Sequence, residues 1–197
     1  MTMHSNTTTS PADHHRRIAG AFSERVAGVG TRWTEPTPVA EWSTRDIVRH
    51  LVEWLPGLLA SGSSVRLPAG PPVDDDPEGA WRAHCDAVQA VLDNPATAED
   101  LLVNPHFGEL SVAEAIDRFY TPDVFMHTWD LARATGQHHG LDADTCAAML
   151  AEMLPLDQLL RDSGQYGPRM PVADDASTVD HLMAFIGRDP AWHPPST

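Results

Sequence analysis

The sequence contains no lysine: all of its 13 basic residues are arginine, set against 28 aspartates and glutamates, for a formal net charge of −15. With no local basic cluster to offset that field, nucleic acid and anionic membrane surfaces are excluded as partners. Long apolar runs are also missing. The most apolar stretch, LVEWLPGLLA, is too short and too interrupted to cross a bilayer, and the opening MTMHSNTTTS has neither the basic nor the apolar region of a secretion signal. A cytoplasmic protein is expected. Cysteine is scarce as well: Cys85 and Cys146 lack the spacing of a zinc knuckle or a redox pair and read as two buried free thiols. Alternating strand patterns longer than a few residues are absent, as are internal repeats. The lysine-free, alanine-rich composition suggests a GC-rich genome.

What is present is a helical pattern. A chain of 197 residues with 42% hydrophobic content can build one sizeable core, so the expectation is a disordered tail over residues 1–10 and a single domain over 11–197. Ser10 and Pro11 form an N-cap and N1 pair opening a helix over about 11–32, with Ile18, Phe22 and Val26 at helical spacing. Ser43 and Asp46 resemble a capping box opening a second helix over about 44–60, whose Ile47, Leu51, Trp54 and Leu58 mark an apolar stripe. A Gly, Pro and Asp rich loop ends at Asp76, the expected N-cap of a third helix to about 92. Residues 95–110 are weakly patterned. Ser111 and Glu114 form a capping box for a helix that runs to Gly136; a further helix is expected over 142–164 with a kink at Pro155, and a short last one before Gly187. The fold class is all-α, most simply a four-helix bundle with additional C-terminal helices.

Within the helix after Ser111, Asp123 and His127 stand one turn apart, so their side chains, with Cβ atoms about 5–6 Å apart, can meet at one point. His50, in the stripe of the second helix, offers a third donor, and two histidines with one carboxylate would leave a metal an open position. Blander readings compete. Thr121 and Pro122 fit the start of a fresh helix, with Asp123 complementing its dipole, and His50 alone fits a hydrogen-bonded core histidine. Glu53 either orients the His50 ring or faces water. Arg82 is a weak candidate for holding an anionic group on a substrate, against a simply solvated arginine. Among the remaining histidines, His4, His14, His15, His84, His106, His138, His139 and His181 show no converging set at chelating spacing.

Three segments, PTPVAEWSTRDIVRHLVEW, HTWDLARATGQ and the closing GRDPAW, together resemble the mycothiol-dependent maleylpyruvate isomerase N-terminal family, part of the DinB-like superfamily of metal-binding four-helix bundles. The resemblance covers residues 11–192. It implies a divalent metal held by His50, Asp123 and His127, with zinc the first expectation and nickel or iron as alternatives, and mycothiol or another low-molecular-weight thiol as cofactor. Two departures stand out: the isomerase has a distinct C-terminal domain where this chain has a helix or two after Gly140, and its carboxylate is glutamate where this chain has Asp123.

The leading functional expectation is therefore a metal-dependent, thiol-using transferase or isomerase acting on a small electrophilic substrate. A hydrolase or lyase using metal-bound water, and a non-catalytic protein that binds a metal or small ligand, remain alternatives; a homodimer is compatible with each.

Overall fold

The computed structural model describes residues 9–195; the tail expected to be disordered, apart from its last two residues, and His4 within it lie outside the described residues. Ser10 caps the first helix, accepting from the Asp13 backbone N–H at 3.1 Å. The elements in chain order are α1 (Pro11–Ala27), α2 (Thr44–Gly62), α3 (Pro77–Asp93), α4 (Pro95–Ala98), β1 (Leu101–Asn104), β2 (Gly108–Ser111) and α5 (Val112–Ala115). A π-helical turn (Ile116–Tyr120) then leads into α6 (Thr121–Thr135), followed by α7 (Ala143–Met153), a 3-10 turn (Leu154–Leu156), α8 (Asp157–Asp162) and α9 (Thr178–Phe185). The fold is all-α and DinB-like, with one small hairpin. None of the described helices is long and apolar enough to cross a membrane.

The described residues divide into two compact units, 9–27 with 48–125 and 28–47 with 126–195. In the first, α1 packs on α3 through Ile18, Phe22 and Val26, and Phe22 meets Trp81 edge to face at 4.5 Å, a contact contributing about 1 kcal/mol beyond its buried area. The Trp81 indole N–H donates to Ser23 Oγ at 2.8 Å, which satisfies the one polar atom of that buried ring. Asp76 caps α3 as expected, accepting from the Gly79 N–H. α1 stops at Ala27 rather than near residue 32, because Gly28 and Gly30 follow and Gly30 takes φ +62°. The buried stripe of α2 is Leu51, Leu55 and Leu59, following Ile47. It is turned one residue from the expected Trp54 and Leu58, which are only half-buried.

The hairpin β1–β2 is the element that sequence patterning missed. It pairs antiparallel with Leu102 opposite Leu110, and of β1 only Leu102 is buried, so a strand of four residues leaves almost no alternation to detect. In the second unit, Asp142 caps α7 and Ser177 caps α9, and α7 and α9 pack together. The helix expected over 142–164 is broken: α7 ends at Met153, Pro155 sits in the 3-10 turn, and α8 resumes at Asp157. Cys146 is buried and Cys85 half-buried; both are free, and burial raises each thiol to about 11, leaving them unreactive.

Candidate metal centre

The helix that carries Asp123 and His127 starts at a complete capping box. The Ser111 side chain accepts from the Glu114 N–H, and the Glu114 carboxylate accepts from the Ser111 N–H at 2.8 Å. From Val112 the chain stays helical through the π turn to Thr135, where Gly136 ends it at φ +65°. Thr121 lies at φ −59°, ψ −41°, and its hydroxyl has no partner, so it caps nothing. Asp123 thus sits inside a continuous helix rather than in the first turn of a fresh one.

His50 and Trp54 both meet the Asp123 carboxylate. Its Oδ2 lies 3.0 Å from His50 Nε2 and accepts from the Trp54 indole N–H at 3.0 Å. His50 and Trp54 project from one edge of α2, beside its buried stripe, which explains why both are half-exposed. One turn beyond Asp123, the buried His127 ring has Nδ1 2.9 Å from Asp130 Oδ2. Asp130 is fully buried, and the Arg188 guanidinium grips both of its oxygens, Nε to Oδ1 at 3.1 Å and Nη2 to Oδ2 at 3.1 Å. Burial works against the Asp130 charge, yet Arg188 and His127 outweigh it and hold the carboxyl below its usual pKa. An ionised carboxylate only accepts, so His127 carries a proton on Nδ1, which makes Nε2 the ligand atom that the ring can offer a metal. Trp42 stacks on the His127 ring, centroids 5.7 Å apart and planes 20° off parallel. The turn that presents Trp42 places Glu41 at φ +67°.

One donor atom from each of His50, Asp123 and His127 lies within 4.8 Å of the other two. The donor set suits a divalent cation of the zinc type: two imidazole nitrogens, one carboxylate, and an outer carboxylate that fixes a histidine tautomer. Side-chain exposure falls from 32% at His50 and 21% at Asp123 to 5% at His127, so the set is accessible from the side of His50 and Asp123.

Arg82 does not join this set. It is exposed on α3 and lines a shallow groove with Ser23, Trp81 and Cys85, flanked on its own helix by Glu78 and Asp86, which oppose anion binding there. Glu53 is exposed and makes no hydrogen bond among the described residues, which leaves it facing water. Sequence patterning counted Trp54 as core and overlooked Trp42, Asp130 and Arg188. The signal for Asp130 was a carboxylate three residues after a candidate ligand on one helix face. Trp42 and Arg188 lie in two of the segments that carried the family resemblance, but nothing local assigns them a role.

The model of the mycothiol maleylpyruvate isomerase N-terminal domain matches residues 15–132. Among curated proteins, two from Mycobacterium tuberculosis, described as "Uncharacterized protein Rv0738" (strain H37Rv) and "Uncharacterized protein MT0763" (strain CDC 1551), are each 31% identical over 193 residues, spanning 90% of this chain and 97% of theirs. No solved structure matches. A capped helix bearing the acid-x-x-x-His pair, a histidine from α2 in reach of it, and a family match over more than half of the length lead to one assignment: the chain belongs to the mycothiol maleylpyruvate isomerase N-terminal domain family.

Proposed function

We propose that His50, Asp123 and His127 hold one divalent metal ion, zinc in the first instance, and that the protein is a thiol-using transferase or isomerase acting on a small electrophile. The observation that carries the metal half is the His127–Asp130–Arg188 chain, which orients one imidazole with Nδ1 on a carboxylate at a point where two further donor atoms lie close by. The thiol half rests on membership of a family named for mycothiol. When bound, such a metal supplies Lewis acidity that makes a coordinated thiol a thiolate at neutral pH. The protein's own part is positional. His50 and His127 would each offer a ring nitrogen and Asp123 a carboxylate oxygen that offsets charge; Trp54 holds the Asp123 carboxylate, and Trp42 and Asp130 hold the His127 ring.

Asp123→Asn separates a charged ligand from a neutral polar neighbour. Asn keeps an oxygen in place but lacks the negative charge, so metal affinity measured by chelator competition should fall about tenfold or more. An unchanged affinity would remove Asp123 from the metal set.

The thiol step has its own test. With Co²⁺ in the site, adding a small thiol should bring up sulfur-to-cobalt charge-transfer absorption, because a thiol that coordinates a metal is deprotonated. Mycothiol should act at lower concentration than a simple thiol. A cobalt spectrum indifferent to every thiol but perturbed by substrate analogues would overturn the thiol reading in favour of metal-activated water.

A further inference from the structure

The first unit contains a second cluster of polar side chains, away from the three metal donors. His15 from α1, His84 from α3 and Tyr120 from the π turn meet in its interior. The Tyr120 ring centroid lies 6.1 Å from that of His15 and 5.6 Å from that of His84. All three are buried, His15 and Tyr120 at 0% exposure and His84 at 5%. Each ends in an atom without a hydrogen-bond partner among the described residues: His15 Nε2, His84 Nε2 and Tyr120 Oη. Sequence inspection found no converging histidines because these two lie on different helices.

The hydrogen-bonding roles follow from the neighbours. Gln89 spends its amide N–H groups on the Ala12 carbonyl at 3.2 Å and on Asp93 Oδ1 at 3.0 Å, so the oxygen it turns to His15 Nδ1 at 2.9 Å can only accept. His15 therefore carries its proton on Nδ1, and its orphaned Nε2 is a lone pair seeking a donor. Burial, reinforced by His15, pushes His84 down to about 4, and burial first, then the proximity of Cys85 and Asp123, pushes the Tyr120 hydroxyl well above its ordinary value. Both groups are neutral at neutral pH. Three unmatched buried polar atoms would cost a large fraction of the net stability of a protein of this size.

We propose that His15 Nε2, His84 Nε2 and Tyr120 Oη form a buried binding site for one small neutral protic ligand, a water molecule. The ligand must donate to His15 Nε2 and offer an oxygen to the Tyr120 hydroxyl, and it must also engage His84. Water does all three with the two to four bonds usual for an internal molecule. The three groups bring no carboxylate or thiolate to neutralise a cation. The burial of every donor leaves no route for the charged end of a larger molecule.

The site also bears on the geometry of the metal donors. Tyr120 packs against Trp54 at 5.6 Å between ring centroids, and Trp54 is the residue that holds Asp123. The bridging water thereby anchors the ring on which Trp54 rests.

Oxygen-17 magnetic relaxation dispersion on the full chain, metal-free in chelator, counts internal waters independently of the metal proposal. Wild type should show one more long-lived water than Tyr120→Phe, and the variant should melt about 4 °C or more lower, since its two imidazole nitrogens lose their bridge. The same loss of one water is expected of His84→Leu, which supplies the measurement should Tyr120→Phe fail to fold. An unchanged water count with a Tyr120→Phe protein as stable as wild type or more so would overturn the proposal. That outcome would mean that the hydroxyl sits dry and that deleting it relieves a penalty.

Discussion

The His127→Ala protein should bind its metal more than about 100-fold more weakly than wild type, beyond the tenfold to hundredfold range seen when only the surroundings of a metal ligand are changed. His127 is the proposed ligand whose ring is held most closely, by Asp130 at Nδ1 and by Trp42 on its face. Elemental analysis after gel filtration gives the direct reading. Because a ligand that binds only the native state adds to its stability, the melting temperature of His127→Ala should also stop responding to added Zn²⁺. Full metal occupancy in this variant would show that His50 and Asp123 bind without it, and the proposed triad would fail.

Asp130→Ala should destabilise the protein by about 3–5 kcal/mol, because it leaves the Arg188 guanidinium largely buried with this carboxylate partner removed and strips His127 Nδ1 of its acceptor. Urea unfolding midpoints measure this. The double variant Asp130→Ala with Arg188→Met should recover much of the loss, since removing both charges is far less costly than stranding one. The same substitution should weaken the metal about 10- to 100-fold by releasing the His127 ring, so stability and metal affinity fall together. An Asp130→Ala protein with wild-type stability would mean that Arg188 finds another partner, and the carboxylate would lose its assigned weight.

Much of this was legible locally. The caps at Ser10, Asp76, Ser111 and Asp142 each announce a helix, because a side-chain oxygen that satisfies a backbone N–H two or three residues on leaves a signature within four positions. The pairing of Asp123 with His127 was legible for the same reason, since helix periodicity alone brings them together. What escaped depends on chain that is distant or pattern that is short. Arg188 meets Asp130 across 58 positions, so neither residue's neighbours betray the pair. Trp54 looked apolar because its ring is, whereas its indole N–H decides its place beside Asp123. In the α2 stripe Ile47 and Leu51 are buried as expected, but beyond them Leu55 and Leu59 face inward in place of Trp54 and Leu58, and hydrophobicity alone cannot say which of those two pairs does.

The π turn at Ile116–Tyr120 decides where this helix can lose a residue. A backbone N–H there reaches back five residues instead of four, as Thr121 does to Ile116, so the turn holds one residue more than a regular helix would. The wider turn absorbs that extra residue, so deleting one residue between 116 and 120 should restore regular winding and leave Asp123, His127 and Asp130 close to their present phase relative to the capping box at Ser111. A deletion in the regular helix between 121 and 123 has no such slack. It would turn everything beyond it by about 100°, carrying His127 and Asp130 away from their partners without touching either residue.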